Sequence, residues 1–210
     1  MLRALVILAT VAAALSAGAA PVPTHLMSKA PPVYHARTPG TRFVWDHKYS
    51  WTAPEETTVI ITAADEQREG HLVTLDFIAG QREPAALQKL SASDRGLALV
   101  EYGGCKVDPP LWLLKLPIRP GEQWESTTSV QDEEQKFRHT VGKPEWVEVP
   151  AGRFHAVPVV QELLWAASDG DTEFKRPPET NWYAPGVGCV KTTITTSRTS
   201  VLRSVTHDKK

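Results

Sequence analysis

Apolar and polar residues alternate with a period of two over most of this chain, the spacing of half-buried β-strands. Phe43 and Trp45 alternate with Arg42, Val44 and Asp46, and Tyr49 and Trp51 follow. Residues 57–62 are β-branched throughout, which favours a pleated strand. After a polar turn at 65–70, Val73, Leu75 and Phe77 alternate with Thr74 and Asp76, so the two runs read as a hairpin. Further strands are predicted at 97–102, 111–116, 154–165, 190–196 and 201–205, with two more reversing around 132–134. Pro158 demotes part of the 154–165 run to an edge or a bulge. The segment 84–93 differs: Ala85, Ala86, Leu87 and Leu90 with Gln88 and Lys89 predict a short helix. The whole predicts a mainly β fold of about ten to twelve strands. Its form is a strongly curved antiparallel sheet, a sandwich or a partly open barrel, with at most one or two short helices.

Turn chemistry punctuates the strands. Pro120 and Gly121 suit the centre of a type II turn, where Pro fixes φ and Gly accepts a positive φ. Pro150 with Gly152, and Pro185 with Gly186 and Gly188, mark two further reversals. Gly186-Val187-Gly188 is not a phosphate cradle, because a Thr-rich strand and no helix follows it.

The N-terminus reads as a signal peptide at 1–19. Arg3 gives the charged start, residues 5–15 are apolar apart from Thr10, and Ala17-Gly18-Ala19 gives the small-x-small cleavage pattern. No cysteine stands directly after that site, so the usual lipoprotein anchor is not expected, and no later segment reaches spanning length. Residues 20–39, with five prolines, read as an extended leader arm. A single β-rich domain is expected at 40–206 and a short tail at 207–210. The expected location is periplasmic or extracellular.

Charge narrows the partners. The formal net charge is −1, and removing the leader with its one charged residue makes it −2, which does not suggest nucleic-acid binding. Cys105 and Cys189 are the two cysteines, and export favours a disulfide between them. Two buried free thiols, or one reactive thiol, are the alternatives.

Candidate chemistry is sparse. No nucleophile elbow, phosphate loop or zinc-protease motif occurs, and no catalytic residue, metal ligand or cofactor is assigned. The seven histidines show no metal spacing. An enzyme would need His139 or His155 to converge with a carboxylate in a cleft. The unusual feature is seven tryptophans spread along the domain. They are expected chiefly to fill the core. A sharper use is to line an apolar ligand site, with Trp112, Trp124, Trp165, Trp182 and Tyr183 as candidates.

Three segments carry a resemblance. Residues 147–154 follow a V-x-V-P-A-G-x-F pattern, 182–191 a W-Y-A-x-G-V-G-x-V-K pattern, and 116–124 an L-P-x-x-P-G-x-x-W run. In these the chain resembles the TapB-like class of exported bacterial proteins, a domain-of-unknown-function class, over the part from Leu111 onward. The resemblance implies a curved antiparallel sheet similar to that of periplasmic lipoprotein carriers, and no reaction. Cys189 stands where that pattern often has an apolar residue.

Taken together, these features favour a non-enzymatic exported envelope protein that binds an apolar or lipid-like ligand on a concave sheet face. The alternatives are a structural or adhesive interaction module and, third, a hydrolase-like enzyme.

Overall fold

Thirteen strands follow one another along the chain in a computed structural model, which describes residues 33–78, 85–167, 176–195 and 197–207. The proposed signal peptide, most of the Pro-rich arm, the turn at 168–171 and the end of the tail lie outside the described residues. The strands are β1 (Thr41–Tyr49), β2 (Glu55–Gln67), β3 (Gly70–Ile78), β4 (Ala85–Ser93), β5 (Gly96–Tyr102), β6 (Cys105–Lys115) and β7 (Gln123–Val130). They continue with β8 (Glu133–Val141), β9 (Glu145–Val149), β10 (Gly152–Ala166), β11 (Glu179–Ala184), β12 (Gly188–Ile194) and β13 (Arg198–His207).

Every pairing is antiparallel. β1 to β8 pair in succession, β10 joins β8 to β11, and β11, β12 and β13 lead back to β1. The sheet therefore closes into a 12-strand barrel, with β9 added as a hairpin on the start of β10. Closure is more specific than the sandwich or partly open barrel that the sequence predicts. It removes the free edges that an open sheet exposes. Bulges such as those between Val44 and Trp45, Ile61 and Ala63, and Trp182 and Tyr183 supply local bending.

One sequence expectation is corrected here. No helix occurs among the described residues, and 85–93 is strand β4. Gln88 and Leu90 pair with Leu75 and Val73 on one side and with Tyr102 and Leu99 on the other. Two ladders outweigh a weak local helix propensity. The described residues before β1 pack on the barrel. Gly186 N–H donates to Val33 O at 2.7 Å, Ala36 N–H donates to Val187 O at 3.4 Å, and Tyr34 and His35 are buried.

Pro158 falls between the ladder with β9, which ends at Ala156, and the ladder with β8, which begins at Val159. Its missing N–H is needed by neither.

The period of two becomes an inside and an outside. Phe43, Leu75, Leu90 and Leu97 point inward and are buried. On the outer face Glu125 takes Lys136 at 2.7 Å and Arg138 at 2.9 Å, while Arg203 pairs with Glu56. No helix among the described residues is long and apolar enough to cross a membrane.

Because successive strands reverse, the connections alternate between two ends. Those at 68–69, 94–95, 116–122, 150–151 and 185–187 gather at one end, together with residues 33–40. Those at 50–54, 103–104 and 131–132 gather at the other, with residues 195 and 197. The Pro-Gly turns at 120–121, 150–152 and 185–188 thus all serve the first end, the floor.

Candidate functional site: the barrel interior

The interior is not filled by side chains. A cavity of about 490 Å³ runs between Phe43, Trp45, Val59, Leu75, Leu90 and Leu99, among others. A second hollow of about 400 Å³ adjoins it and shares Leu99 and Tyr102. His35 lies at the floor of the larger one, against Gly188.

Exposure along inward-facing rows shows which end is open. On β11, Tyr183 is 5% and Asn181 8% exposed, while about 32% of the Glu179 side chain is exposed. On β13, Leu202 is 0% and Ser200 4% exposed, and the Arg198 side chain about 34%. The end opposite the floor is therefore a mouth. Polarity rises with exposure: Tyr, Asn, Glu on one strand and Leu, Ser, Arg on the other. Exposed Trp51, Tyr102, Leu164 and Trp165 stand on or beside the connections of that same end.

The cavity is two-faced. Strands β3 to β6 contribute Leu75, Phe77, Leu90, Leu97, Leu99 and Leu113 to an apolar wall, with Gln88 among them. The opposite wall, from β10 round to β2, carries hydrogen-bonded polar groups. His47 bridges two hydroxyls, with Nδ1 at 2.7 Å from Ser200 Oγ and Nε2 at 2.7 Å from Thr57 Oγ1. A neutral ring donates to one and accepts from the other. Burial, and then the positive charge of Arg198, hold the His47 pKa below its ordinary value.

Next to it, Asn181 Nδ2 donates to Glu179 Oε1 at 2.9 Å, and Thr192 Oγ1 donates to Asn181 Oδ1 at 2.7 Å. Arg198 Nη2 reaches Glu179 Oε2 at 3.5 Å, whereas its buried Nε–H has no partner. Burial pushes the Cys189 thiol up to about 11 and raises the Tyr183 phenol. A weakly acidic thiol shut away in this manner is a poor nucleophile. Chemically, the wall offers hydrogen bonds and one incompletely matched cation along the side of an apolar chamber.

The candidate residues from the sequence scatter. Tyr183 lines the cavity, but Trp112, Trp124, Trp165 and Trp182 do not. Trp112 lies under the Arg95 guanidinium at 5.5 Å, and Trp165 is exposed. Trp182 packs beneath Lys191 at 4.7 Å and donates its indole N–H to Glu145 at 2.6 Å. Trp124 is buried against His139. The tryptophan that faces the cavity is Trp45, whose parity with Phe43 is the signal for its inward direction. A concave open sheet face is thus replaced by an enclosed chamber.

The cysteine pairing is also corrected, because Cys105 and Cys189 are free thiols. Cys105 starts β6 at the mouth, and Cys189 lies on β12 near the floor, five strand pairings away by the shorter route. Across a barrel of this strand number that is on the order of 20 Å, whereas a disulfide needs Cα atoms within about 7 Å. His139 is inside against Trp124, and His155 is exposed beside Trp146 at 5.2 Å.

No family profile matches the chain, so the TapB-like resemblance is not confirmed. No curated protein matches it either. Among solved structures the chain is similar to a candidate lipoprotein from Parabacteroides distasonis, with a TM-score of 0.59 at 14% identity. It is likewise similar to a candidate exported protein with a YmcC-like fold from Bacteroides fragilis, with a TM-score of 0.57 at 15% identity. Each likeness covers 83% of this chain and 99% of the other. At such identity it is the fold that is shared.

Proposed function

We propose that this chain is an exported binding protein that houses an apolar or lipid-like molecule inside its barrel. The observation that carries the reading is the chamber of about 490 Å³, within the range of small-molecule sites, with an apolar wall on β3 to β6 and its more exposed end at Glu179 and Arg198. A core built solely for stability packs at the density of organic crystals, and an unfilled chamber forgoes the contacts that packing would give. Trp45, Leu75, Leu90 and Leu99 provide the sliding, undirected contacts that suit a hydrocarbon.

Export is part of the same proposal. It rests on the charged, apolar and small-residue pattern at 1–19. The names of the two structural neighbours, one exported and one a lipoprotein, support the same compartment.

The test is binding of the neutral apolar fluorophore N-phenyl-1-naphthylamine to the full chain. Saturable fluorescence enhancement is expected, with Leu90→Trp and Leu97→Trp each reducing affinity at least fivefold because the indole fills the chamber. Non-saturable binding, or no response to these substitutions, would remove the reading.

A further inference from the structure

The polar wall is organised around one unfinished group. A guanidinium offers a carboxylate or phosphate two parallel donors along its Nε–Nη2 edge. On Arg198 that edge is used at a single long contact, Nη2 to Glu179 at 3.5 Å, and its buried Nε–H has no partner. A buried donor left unmade is unfavourable, and folded proteins rarely keep one without a reason. Glu179 does not turn to complete the edge because its other oxygen accepts from Asn181 at 2.9 Å, and Asn181 is itself fixed by Thr192. The charge of Arg198 also remains felt next door, where it disfavours protonation of His47.

Position adds a second constraint. Arg198 lines the chamber at its mouth, one row above Ser200 and His47 and across from the leucines of β4 to β6. A molecule with a polar end and a hydrocarbon body fits in one direction only, body toward Phe43 and polar end toward the mouth.

We propose that Arg198 is a head-group site, and that the ligand is an amphiphile carrying one carboxylate or phosphate on a hydrocarbon chain. This rests on the reading of the interior as an apolar site. The anion bridges Nε and Nη2 after a small rotation of the long side chain and displaces the Glu179 contact. Glu179 stays on Asn181 and keeps the wall in place. The hydroxyls of Ser200 and Thr57 remain engaged with His47, so selectivity comes from one cation and not from a cluster.

The test uses cis-parinaric acid, whose tetraene fluoresces in apolar surroundings, and the corresponding alcohol with the same chain. Wild-type protein is expected to bind the acid at least tenfold more tightly than the alcohol at pH 8. Arg198→Gln should weaken the acid at least tenfold and leave the alcohol within twofold. Glu179→Gln should tighten the acid about threefold by removing the competing carboxylate. If Arg198→Gln does not fold, Arg198→Lys, which keeps the charge and loses the fork, should still weaken the acid severalfold. Competition by palmitate against hexadecyl phosphate separates the two anion classes, the stronger competitor naming the head group. Equal affinity for acid and alcohol, or equal loss of both in the variants, overturns the head-group site and leaves the apolar chamber standing. Failure of both probes to bind overturns the chamber as well.

Discussion

Trp124 and His139 stack face to face inside the barrel, ring centres 4.9 Å apart and planes 7° apart. They are cross-strand partners on β7 and β8, and the stack lies beside Lys115, whose ammonium sits 5.1 Å from the indole. His139 is fully buried, and neither ring nitrogen has a hydrogen-bond partner. Its neighbour across the β8–β10 ladder, Gln161, is close enough to favour the charged ring slightly without reaching bonding geometry. Burial dominates and holds the His139 pKa at about 4, with Lys115 acting in the same direction.

The consequence is an acid-sensitive fold. The unfolded chain takes up a proton near pH 6.5, and the folded one only near pH 4. Stability is therefore full above pH 6.5 and falls as pH drops toward 4. The loss between pH 7.5 and 5 is about 2 kcal/mol from this residue. His35 and His47, whose pKa values are also lowered, act in the same direction. His139→Phe keeps a ring against Trp124 and removes the orphan nitrogens. Urea unfolding at pH 7.5 and pH 5 should show a smaller pH difference in that variant, by about the same 2 kcal/mol.

Gly188 answers to His35. A methyl group there would lie 2.8 Å from His35 Cδ2, and the residue holds φ at +107°. Gly188→Ala should cost roughly 1–3 kcal/mol in chemical unfolding, since both strain and contact oppose it. Adding His35→Ala relieves the contact but not φ, so stability should be recovered only in part. Full recovery would mean that the backbone conformation costs nothing.

The two thiols should behave differently. Cys105 is partly exposed on the mouth turn, where Gln131 Nε2 donates to its sulfur at 3.1 Å. Cys189 sits in the wall with its pKa pushed up to about 11. Titration with a thiol-specific chromogenic reagent at pH 8 should release about one equivalent from native protein and about two in denaturant. Zero equivalents in denaturant without reductant would show that the cysteines are paired after all.

Much of this architecture is written locally. Alternation at Phe43-Val44-Trp45 and at Val73-Thr74-Leu75 marks strands without any tertiary information, and Pro120-Gly121 specifies its reversal. β4 is the exception, since Ala, Leu, Gln and Lys suit a helix when read alone, and only the ladders with β3 and β5 make a strand there. Closure is not local either, because it depends on β10 meeting β11, after bulges have set the curvature.

The site is harder still to read. His47, Thr57, Glu179, Asn181, Thr192, Arg198 and Ser200 come from five strands, and no short motif joins them. Alternation shows that Trp182 and Tyr183 face opposite ways, but not which of the two faces inward. That follows from the register with β10 and β12, including the bulge between these two residues.

The most direct measurement is a crystal structure of the protein soaked with an acyl chain brominated near its methyl end. Anomalous bromine density is expected deep in the barrel, between Phe43, Leu75 and Leu90, with the polar end toward Arg198. Bromine found only on the outer surface, for instance beside exposed Trp146, would contradict it.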